Sequence, residues 1–233
     1  GLVLLTSSVL AVGVFRLAKH KVLVQDIYCI ETLARVDTMC LDKTGTITEG
    51  TFDVEKVIPQ NGFSEKDVKK ALTMLTSALN DNNETFKAVK RIYPPDKSIK
   101  SIKQVIPFSS ERKWSGAEFE AEGSFLLGAA EFIFPHELGK AGEQLKIYSE
   151  NYRVLVLAHS GYSFEDGKVP KGTQLMALVL IKDRIRFNAE KTLNFFKKQG
   201  VDIKIISGDN PVTVSKIAER VNLKNAESFI DAT

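Results

Sequence analysis

A short apolar run that ends in a compact polar turn limits the folds open to this chain. Residues 36–41, VDTMCL, run directly into residues 42–48, DKTGTIT. Such a run is typical of a buried strand, which would carry Asp42 to the edge of a sheet. In open α/β sheets, ligands bind in the crevice outside the carboxyl ends of the strands. The sequence therefore predicts an α/β protein in which Asp42 faces solvent at the end of a strand.

The polar turn carries the groups that phosphoryl transfer needs. A carboxylate such as Asp42 can attack phosphorus and form an aspartyl-phosphate. Lys43 can screen phosphate charge, the three threonines offer hydroxyl groups, and Gly45 lets the backbone come close to a ligand. An ordinary turn after a strand is the alternative interpretation, and the density of polar residues in this motif makes it the weaker one.

Residues 42–48 resemble the DKTGT[LI]T signature of P-type ATPases, cation pumps that phosphorylate themselves on that aspartate. They also resemble, more loosely, the DxDxT loop of haloacid dehalogenase phosphatases, whose second Asp protonates the leaving group and activates water. Thr44 stands at that second position and cannot act as a general acid or base near neutral pH. The resemblance implies a phospho-aspartate on Asp42 that is not quickly hydrolysed in place. It also implies Mg²⁺ bound by Asp42 and the backbone carbonyl of Thr44, with ATP as the phosphoryl donor.

Composition indicates an ordinary globular protein. The chain has 233 residues, 43% of them hydrophobic and 26% charged, which suits one large or two small domains. The net charge of +3, from 32 basic and 29 acidic residues, is too balanced to favour nucleic acid or an anionic membrane surface as a partner. Cys29 and Cys40 lack paired spacing, so the sequence suggests neither a disulfide framework nor a zinc site, and reduced thiols fit a cytosolic location.

The first 15 residues are largely apolar, and a basic cluster over residues 16–21 follows them. This stretch is shorter than the ~20 residues that span a bilayer, and it lacks the initiating Met and the charged lead of a signal peptide. The resemblance implies the end of a membrane helix and a stalk on the cytoplasmic side. A buried amphipathic helix of a soluble domain is the alternative.

Alternating patterns predict a discontinuous domain. Strands at 175–181 and 201–206 alternate with helices at 188–199 and 211–221, without a hairpin signal, so we expect parallel strands that join the Asp42 strand. Between the Asp42 strand and the strand at 175–181, residues 52–171 have a pattern that is mostly typical of strands. We expect a haloacid-dehalogenase-like parallel sheet, incomplete, with an inserted α+β antiparallel-sheet nucleotide-binding domain that folds and binds adenine nucleotide alone. The expected units are the membrane-helix end and stalk (1–25), the first part of the phosphorylation domain (26–51), the nucleotide-binding domain (52–171) and the second part of the phosphorylation domain (172–233).

Within 52–171, the stretch from Pro107 to Lys113, PFSSERK, resembles the FS[SR]xRK motif of the pump family. The resemblance implies that Phe108 stacks on adenine and that Arg112 and Lys113 meet the nucleotide, which their aromatic and cationic chemistry allows. Taken alone, an aromatic residue before a polar loop more often belongs to a core. Glu84 resembles the acidic residue that hydrogen-bonds the adenine amino group, although an exposed Glu at a helix start is equally open.

Gly128 and Ala129 resemble part of the family's KGAPE motif, in which a lysine lines the nucleotide pocket and Gly-Ala allow close approach. Leu127 occupies the lysine position, so the usual cation of the pocket is missing, and Leu127→Lys is expected to tighten ATP binding. Arg153 resembles an arginine that contacts the nucleotide phosphates and could partly compensate. It could equally be a surface residue of a strand.

Two motifs follow the inserted segment. Asp183 and Arg186 are in register with the family's DPxR motif and could hold the ribose or phosphates of ATP, although a helix-start salt bridge is about as plausible. Residues 207–210, Ser207-Gly208-Asp209-Asn, resemble TGDN. A hydroxyl and backbone N–H groups between a strand and a helix start make an anion site, which would hold the transferred phosphoryl group.

The resemblance covers essentially the whole chain, but no GDGxNDxP or TGES motif and no complete membrane helix is present. We therefore expect a fragment of a larger pump of the type II-like branch, with calcium or magnesium as the favoured cargo, bound by membrane helices outside this sequence. A soluble haloacid-dehalogenase phosphatase with a large cap and a nucleotide-binding module without turnover are the two alternatives.

Overall fold

The computed structural model describes residues 2–135, 139–208 and 211–230. Helices run over Leu2–Lys19 (α1), Cys29–Ala34 (α2), Glu65–Ala78 (α3), Glu84–Ile92 (α4), Ala130–Ile133 (α5), Lys140–Ser149 (α6), Ala189–Lys198 (α7) and Pro211–Arg220 (α8). Strands run over Thr38–Asp42 (β1), Thr48–Pro59 (β2), Ile102–Ile106 (β3), Trp114–Phe119 (β4), Gly123–Gly128 (β5), Arg153–Ser160 (β6), Gln174–Ile185 (β7) and Asp202–Ile206 (β8).

Six strands form one antiparallel sheet in the order β2-β7-β6-β5-β4-β3. The expectation that strand 175–181 lies parallel to the Asp42 strand is wrong, because β7 pairs antiparallel with β2 on one side and β6 on the other. Alternate residues of β7 pack on opposite faces, with Val179 and Ile181 in one core and Leu178 and Leu180 in the other. A strand buried on both faces reads as a continuous apolar run in either kind of sheet, so its pattern did not reveal its direction.

Helices cover both faces of this sheet. One core contains the apolar residues of α3 and α4, and the other contains those of α5 and α6. Helix α3 begins at a reciprocal capping box formed by Ser64 and Asp67. Hydrogen bonds from the Ser64 side chain and backbone hold the pKa of Asp67 below its ordinary value. At α4, the side chain of Asn83 accepts from the Phe86 N–H at 2.8 Å, which places Glu84 at the first helical position.

The Asp42 strand forms a separate parallel pair with β8, in which Asp42 lies opposite Ile206. Apolar residues of the pair, including Leu41 and Ile205, pack on α7 and α8 through Leu193 and Ile217. The expectation that the Asp42 strand is buried is wrong for this structure, because exposed and half-buried residues alternate along β1. The described helices α7 and α8 pack on one side of the pair, which accounts for that alternation.

The apolar helix α1 lies on the surface, where Val3 is 79% and Phe15 68% exposed. Helix α1 is therefore not buried in the structure, as the alternative interpretation would require. Among residues 2–135, 139–208 and 211–230, no helix combines the length and the apolar character that a membrane crossing requires.

Sheet membership bears on where the inserted segment ends. Strand β7 belongs to the same sheet as β2 to β6, which favours an end near Ile185 rather than at Lys171. Cutting at 171 would remove the strand that joins β2 to β6 and leave the partner edges of both strands unpaired.

We predict that a segment spanning 48–186 unfolds cooperatively on its own, whereas 52–171 does not, because only the longer piece keeps β7 between its two partners. Urea denaturation followed by circular dichroism compares the two. Cooperative unfolding of 52–171 would show that β7 is dispensable and would contradict this reading of the sheet.

The buried carboxylate of Glu118 makes the stability of the fold depend on pH. The side chain is 4% exposed, and its carboxylate accepts from Lys103 Nζ at 2.6 Å and from Ser163 Oγ at 2.7 Å. Burial alone would raise the pKa of Glu118, but the hydrogen bonds from Lys103 and Ser163 outweigh burial and lower it. Ionised Glu118 thus stabilises the folded state fully above its unfolded-state pKa of ~4.3. This stabilisation is lost as the pH falls through the lower pKa that Glu118 has in the folded state.

Glu118→Gln should therefore lower the free energy of unfolding at about pH 7 and have a smaller effect at about pH 3. Urea titrations of both proteins at the two pH values measure the difference. An equal loss of stability at both pH values would show that the charge of Glu118 does not contribute.

Candidate functional site

Asp42 and Ser207-Gly208 meet at the carboxyl ends of two neighbouring parallel strands. Asp42 is the last residue of β1 and lies opposite Ile206, so Ser207 and Gly208 continue the chain beside it. Asp42 is exposed. This is the sheet edge where α/β proteins bind ligands. The remaining residues of the predicted anion site, Asp209 and Asn210, lie outside the described residues.

The turn from Lys43 to Ile47 connects β1 to β2 and is held by Arg186. The backbone of Gly45 has φ +77°, a conformation that glycine adopts readily. The Arg186 side chain donates to the Gly45 carbonyl at 2.6 Å, and its N–H donates to the Ile47 carbonyl at 3.0 Å. Arg186 thus braces the turn, and its predicted contact with nucleotide stays a prediction.

The threonines of the motif differ in their environment. Thr48 is fully buried, and its hydroxyl donates to the Lys43 carbonyl at 3.3 Å, so it stabilises the turn rather than facing a ligand. Thr44 and Thr46 are exposed. Thr44 therefore lies next to Asp42 with its side chain accessible to solvent.

Lys43 and Asp183, both predicted to act on the nucleotide, pair with each other. The Lys43 ammonium lies 3.3 Å from both carboxylate oxygens of Asp183, and the two side chains are 3% and 13% exposed. Asp183 lies near the end of β7, opposite Phe52 of β2. The pair therefore ties the Asp42 turn to the six-stranded sheet.

The loop that carries Phe108 is hydrogen-bonded to the segment that precedes Glu84. Phe108, between β3 and β4, is 40% exposed, and its N–H donates to the carboxylate of Asp81 at 3.0 Å. Asp81 comes three residues before Glu84, the first residue of α4. The Glu84 carboxylate is paired with Lys87 at 2.8 Å. An exposed aromatic ring can accept a planar base.

Arg112 folds back on its own loop. Its guanidinium donates to the Pro107 carbonyl at 2.7 Å and lies 5.7 Å from the centre of the Trp114 ring. Lys113 follows with a left-handed backbone, φ +57°, and is exposed. The structure thus leaves Lys113 reachable from solvent and commits Arg112 to the Phe108 loop.

Gly128 and Ala129 hold this loop against the neighbouring strand. A Cβ on Gly128 would lie 2.2 Å from the Cβ of Trp114, so only glycine fits between β5 and β4. The Ala129 N–H donates to the Lys113 carbonyl at 3.0 Å. The close approach that Gly128 permits in this structure is therefore to the adjacent strand.

Leu127 lies inside the core. It is 4% exposed and packs in the cluster that contains the residues of α3 and α4. A lysine there would have to bury its charge or displace this packing, which is costly. The structure thus gives no support to the expectation that Leu127→Lys tightens ATP binding, and we expect the substitution to destabilise the fold.

Arg153 lines a cleft between the six-stranded sheet and α8. The cavity is about 540 Å³, and Phe52, Arg153 and Asp183 face Lys216 and Arg220 across it. The Arg153 guanidinium lies 4.6 Å from the centre of the Phe52 ring. An aromatic face attracts a cation at this distance, so Phe52 keeps the charge of Arg153 at the cleft wall. The sequence analysis did not single out Phe52, because an apolar residue in a strand pattern carries no chemical signal.

The described residues offer oxygen ligands at Asp42, but they contain no group of three or more His, Cys, Asp or Glu side chains placed to hold a metal ion. An exposed carboxylate at Asp42 and the backbone carbonyl of Thr44, two residues further along, are oxygen donors that suit a hard cation such as Mg²⁺, which binds few protein ligands and keeps waters or substrate phosphates. The chemistry of these donors therefore fits the predicted metal.

The buried pair generates a prediction. Asp183→Asn should lower the free energy of unfolding by about 3 kcal/mol, because it removes a carboxylate that contacts the buried Lys43 ammonium. The matched control is Lys43→Met combined with Asp183→Leu, which removes both charges of this contact and should recover most of the loss. Urea denaturation measures both, and a double variant as unstable as Asp183→Asn would show that the attraction between these two charges is not the cause.

Comparisons with known proteins agree with this geometry. A family profile described as haloacid dehalogenase-like hydrolase matches residues 36–233. The chain is 42% identical over 236 aligned positions to "Probable cation-transporting ATPase exp7" of Streptococcus pneumoniae serotype 4, covering 100% of this chain and 30% of that protein. It is 36% identical to the "Calcium-transporting ATPase CtpE" of Mycobacterium bovis, over 96% of this chain and 28% of the other.

A solved structure shows the same fold. The crystal structure of a zinc-transporting PIB-type ATPase in the E2.Pi state superimposes with a TM-score of 0.67 at 21% identity, over 92% of this chain and 32% of the other. This likeness concerns the fold alone. The chain spans about 30% of the length of the curated relatives it matches. Because the family profile covers the Asp42 turn, both sheets and all helices after α2, the chain belongs to the haloacid dehalogenase-like hydrolases.

Proposed function

We propose that this chain is the ATP-binding and self-phosphorylating portion of a P-type cation-transporting ATPase. The observation that carries the proposal is the placement of Asp42, exposed at the end of β1 and beside Ser207-Gly208, in a DKTGTIT turn. The names of the relatives, which include cation- and calcium-transporting ATPases, support it. Since the chain spans about 30% of those proteins, ion transport by the whole protein is part of the proposal.

In the proposed reaction, a carboxylate oxygen of Asp42 attacks the γ-phosphorus of ATP. A bond forms between this oxygen and phosphorus, the bond to the bridging oxygen breaks, and ADP leaves with the electron pair. The Ser207 hydroxyl and the Gly208 N–H hold the transferred phosphoryl group. Thr44 cannot activate a water as an aspartate would, so the acyl phosphate persists.

Asp42 and the Thr44 carbonyl are the proposed ligands of Mg²⁺. When bound, this ion neutralises the charge that develops on the phosphates. Lys43 follows the nucleophile in sequence, and its contact with Asp183 fixes the turn that carries Asp42.

The nucleotide is proposed to bind across the six-stranded unit. Phe108 stacks on adenine, Glu84 accepts from the adenine amino group, and Lys113 approaches the nucleotide. Arg153 meets the phosphates at the cleft that α8 closes. The Phe52 ring holds the Arg153 guanidinium at this cleft. Arg153 therefore provides a positive charge for the nucleotide, since the position of the family's usual lysine is occupied by the buried Leu127.

The proposal extends to the cargo and the location. One relative carries calcium in its name, which favours Ca²⁺ among the cations. The transported ion would bind in membrane helices outside this sequence, and the chain would lie on the cytoplasmic face of the membrane, with no role for nucleic acid.

The function is tested by labelling the full-length pump with [γ-³²P]ATP and Mg²⁺. Label should be trapped on Asp42 as an acid-stable, hydroxylamine-sensitive acyl phosphate, and Asp42→Asn should abolish it. ATP binding should remain or improve in Asp42→Asn, because a negative charge facing the γ-phosphate is removed. Glu49→Gln, an exposed carboxylate on the other side of the turn, is the control that should label normally. Full labelling of Asp42→Asn would show that the phosphoryl acceptor is another residue.

A further inference from the structure

The peptide unit between Pro107 and Phe108 is held from both sides by side chains of opposite charge. On one side, Arg112 Nη2 donates to the Pro107 carbonyl oxygen at 2.7 Å. On the other, the Phe108 N–H donates to Asp81 Oδ1 at 3.0 Å. The carbonyl and the N–H belong to one planar trans unit and point in opposite directions, so the two side chains clamp a single plane.

Both charged groups are committed to this clamp. Asp81 Oδ2 and Arg112 Nε are buried, and neither has a hydrogen-bond partner among the described residues. The described ion pairs include none between Asp81 and Arg112 or between either and a third residue. Hydrogen bonds to charged groups are the strong class, so each side chain contributes a firm hold on the peptide.

The clamp acts on the backbone immediately before the Phe108 Cα. A peptide plane that cannot rotate fixes the direction of the Phe108 N–Cα bond, and sterics limit the φ angle about that bond, so the Cα–Cβ bond has few directions open to it. The ring is 40% exposed, so packing alone does not determine its orientation. Arg112 is itself braced, because its guanidinium lies 5.7 Å from the ring of Trp114, which is 3% exposed.

We propose that Asp81 and Arg112 are positioning residues that hold Phe108 in the orientation in which it stacks on adenine. This inference rests on the proposed nucleotide site at Phe108. It assigns a role to Asp81, which carries no recognisable sequence motif, and it changes the role of Arg112 from a nucleotide contact to a support of the ring. In this arrangement Asp81 and Arg112 act on the peptide before Phe108, and Asp81 Oδ2 and Arg112 Nε are buried away from a base stacked on the ring.

The test is a set of ATP dissociation constants measured by calorimetry on the 233-residue chain. Phe108→Ala should weaken ATP binding roughly tenfold, the scale of one base-aromatic stack. Asp81→Ala should weaken it about three- to tenfold. Asp81→Asn, whose side-chain oxygen can still accept from the Phe108 N–H, should stay within about twofold of the wild-type value.

The double variant separates positioning from contact. If Asp81 acts through Phe108, then Asp81→Ala should have no further effect in the Phe108→Ala background. The matched control is Asp96→Ala, which removes another loop carboxylate that accepts from nearby backbone N–H, that of Ser98 at 2.8 Å, and should leave ATP binding unchanged.

A spectroscopic readout follows the clamp directly. In ¹H–¹⁵N spectra, the Phe108 amide proton should shift upfield in Asp81→Ala, because it loses a charged acceptor, and Asp81→Asn should restore part of the shift. If Asp81→Ala does not fold, Arg112→Met releases the other side of the same peptide and should weaken ATP binding in the same way, again without effect when Phe108 is alanine.

The outcomes distinguish the two levels of the account. Absence of ATP binding by the wild-type chain would overturn the nucleotide site and with it this inference. The nucleotide site stands if the wild-type chain binds ATP and Phe108→Ala weakens that binding. In that case, the positioning role alone would be overturned by either of two results: Asp81→Ala or Arg112→Met binds ATP as tightly as wild type, or the same substitution weakens binding just as much when Phe108 is alanine.

Discussion

The buried ion pair between Lys43 and Asp183 joins the two parts of this molecule. Lys43 follows the candidate nucleophile directly, and Asp183 lies near the end of β7, the strand that links β2 to β6 in the six-stranded sheet. Arg186, three residues further along, holds the same turn through the Gly45 carbonyl. The end of β7 therefore positions the Asp42 turn, so that the sheet proposed to hold nucleotide and the carboxylate proposed to attack it share one support.

Positive charge near the candidate site is arranged by neighbours rather than left to mobile side chains. Asp183 holds Lys43, and the Phe52 ring holds Arg153. A long cationic side chain loses rotamer freedom when it binds an anion, and one that is already held loses less of it. This arrangement can offset the absence of a lysine at position 127 without placing a charge inside the core.

The placement of the candidate site residues could be predicted further from sequence than the arrangement of the strands. The DKTGTIT turn after a strand, the position of Ser207 at a strand end and the helix starts at Ser64 and Asn83 depend on local residue types, so they follow from short motifs. The direction of β7 depends on which strands pair with it, and an apolar run from Leu175 to Ile181 fits a parallel or an antiparallel partner equally well. The supports at Asp81 and Phe52 arise from contacts between residues distant in sequence, which no local pattern encodes.

A nucleotide held at Phe108 should present its γ-phosphate to Asp42. A crystal structure of the 233-residue chain with Mg²⁺ and a non-hydrolysable ATP analogue would show whether it does. We expect adenine stacked on Phe108, phosphates along the Arg153 wall of the cleft, and the γ-phosphorus about 3–3.5 Å from a carboxylate oxygen of Asp42, as a near-attack geometry requires. An analogue whose adenine lies away from Phe108, or whose γ-phosphate is directed away from Asp42 while the adenine is stacked, would contradict it.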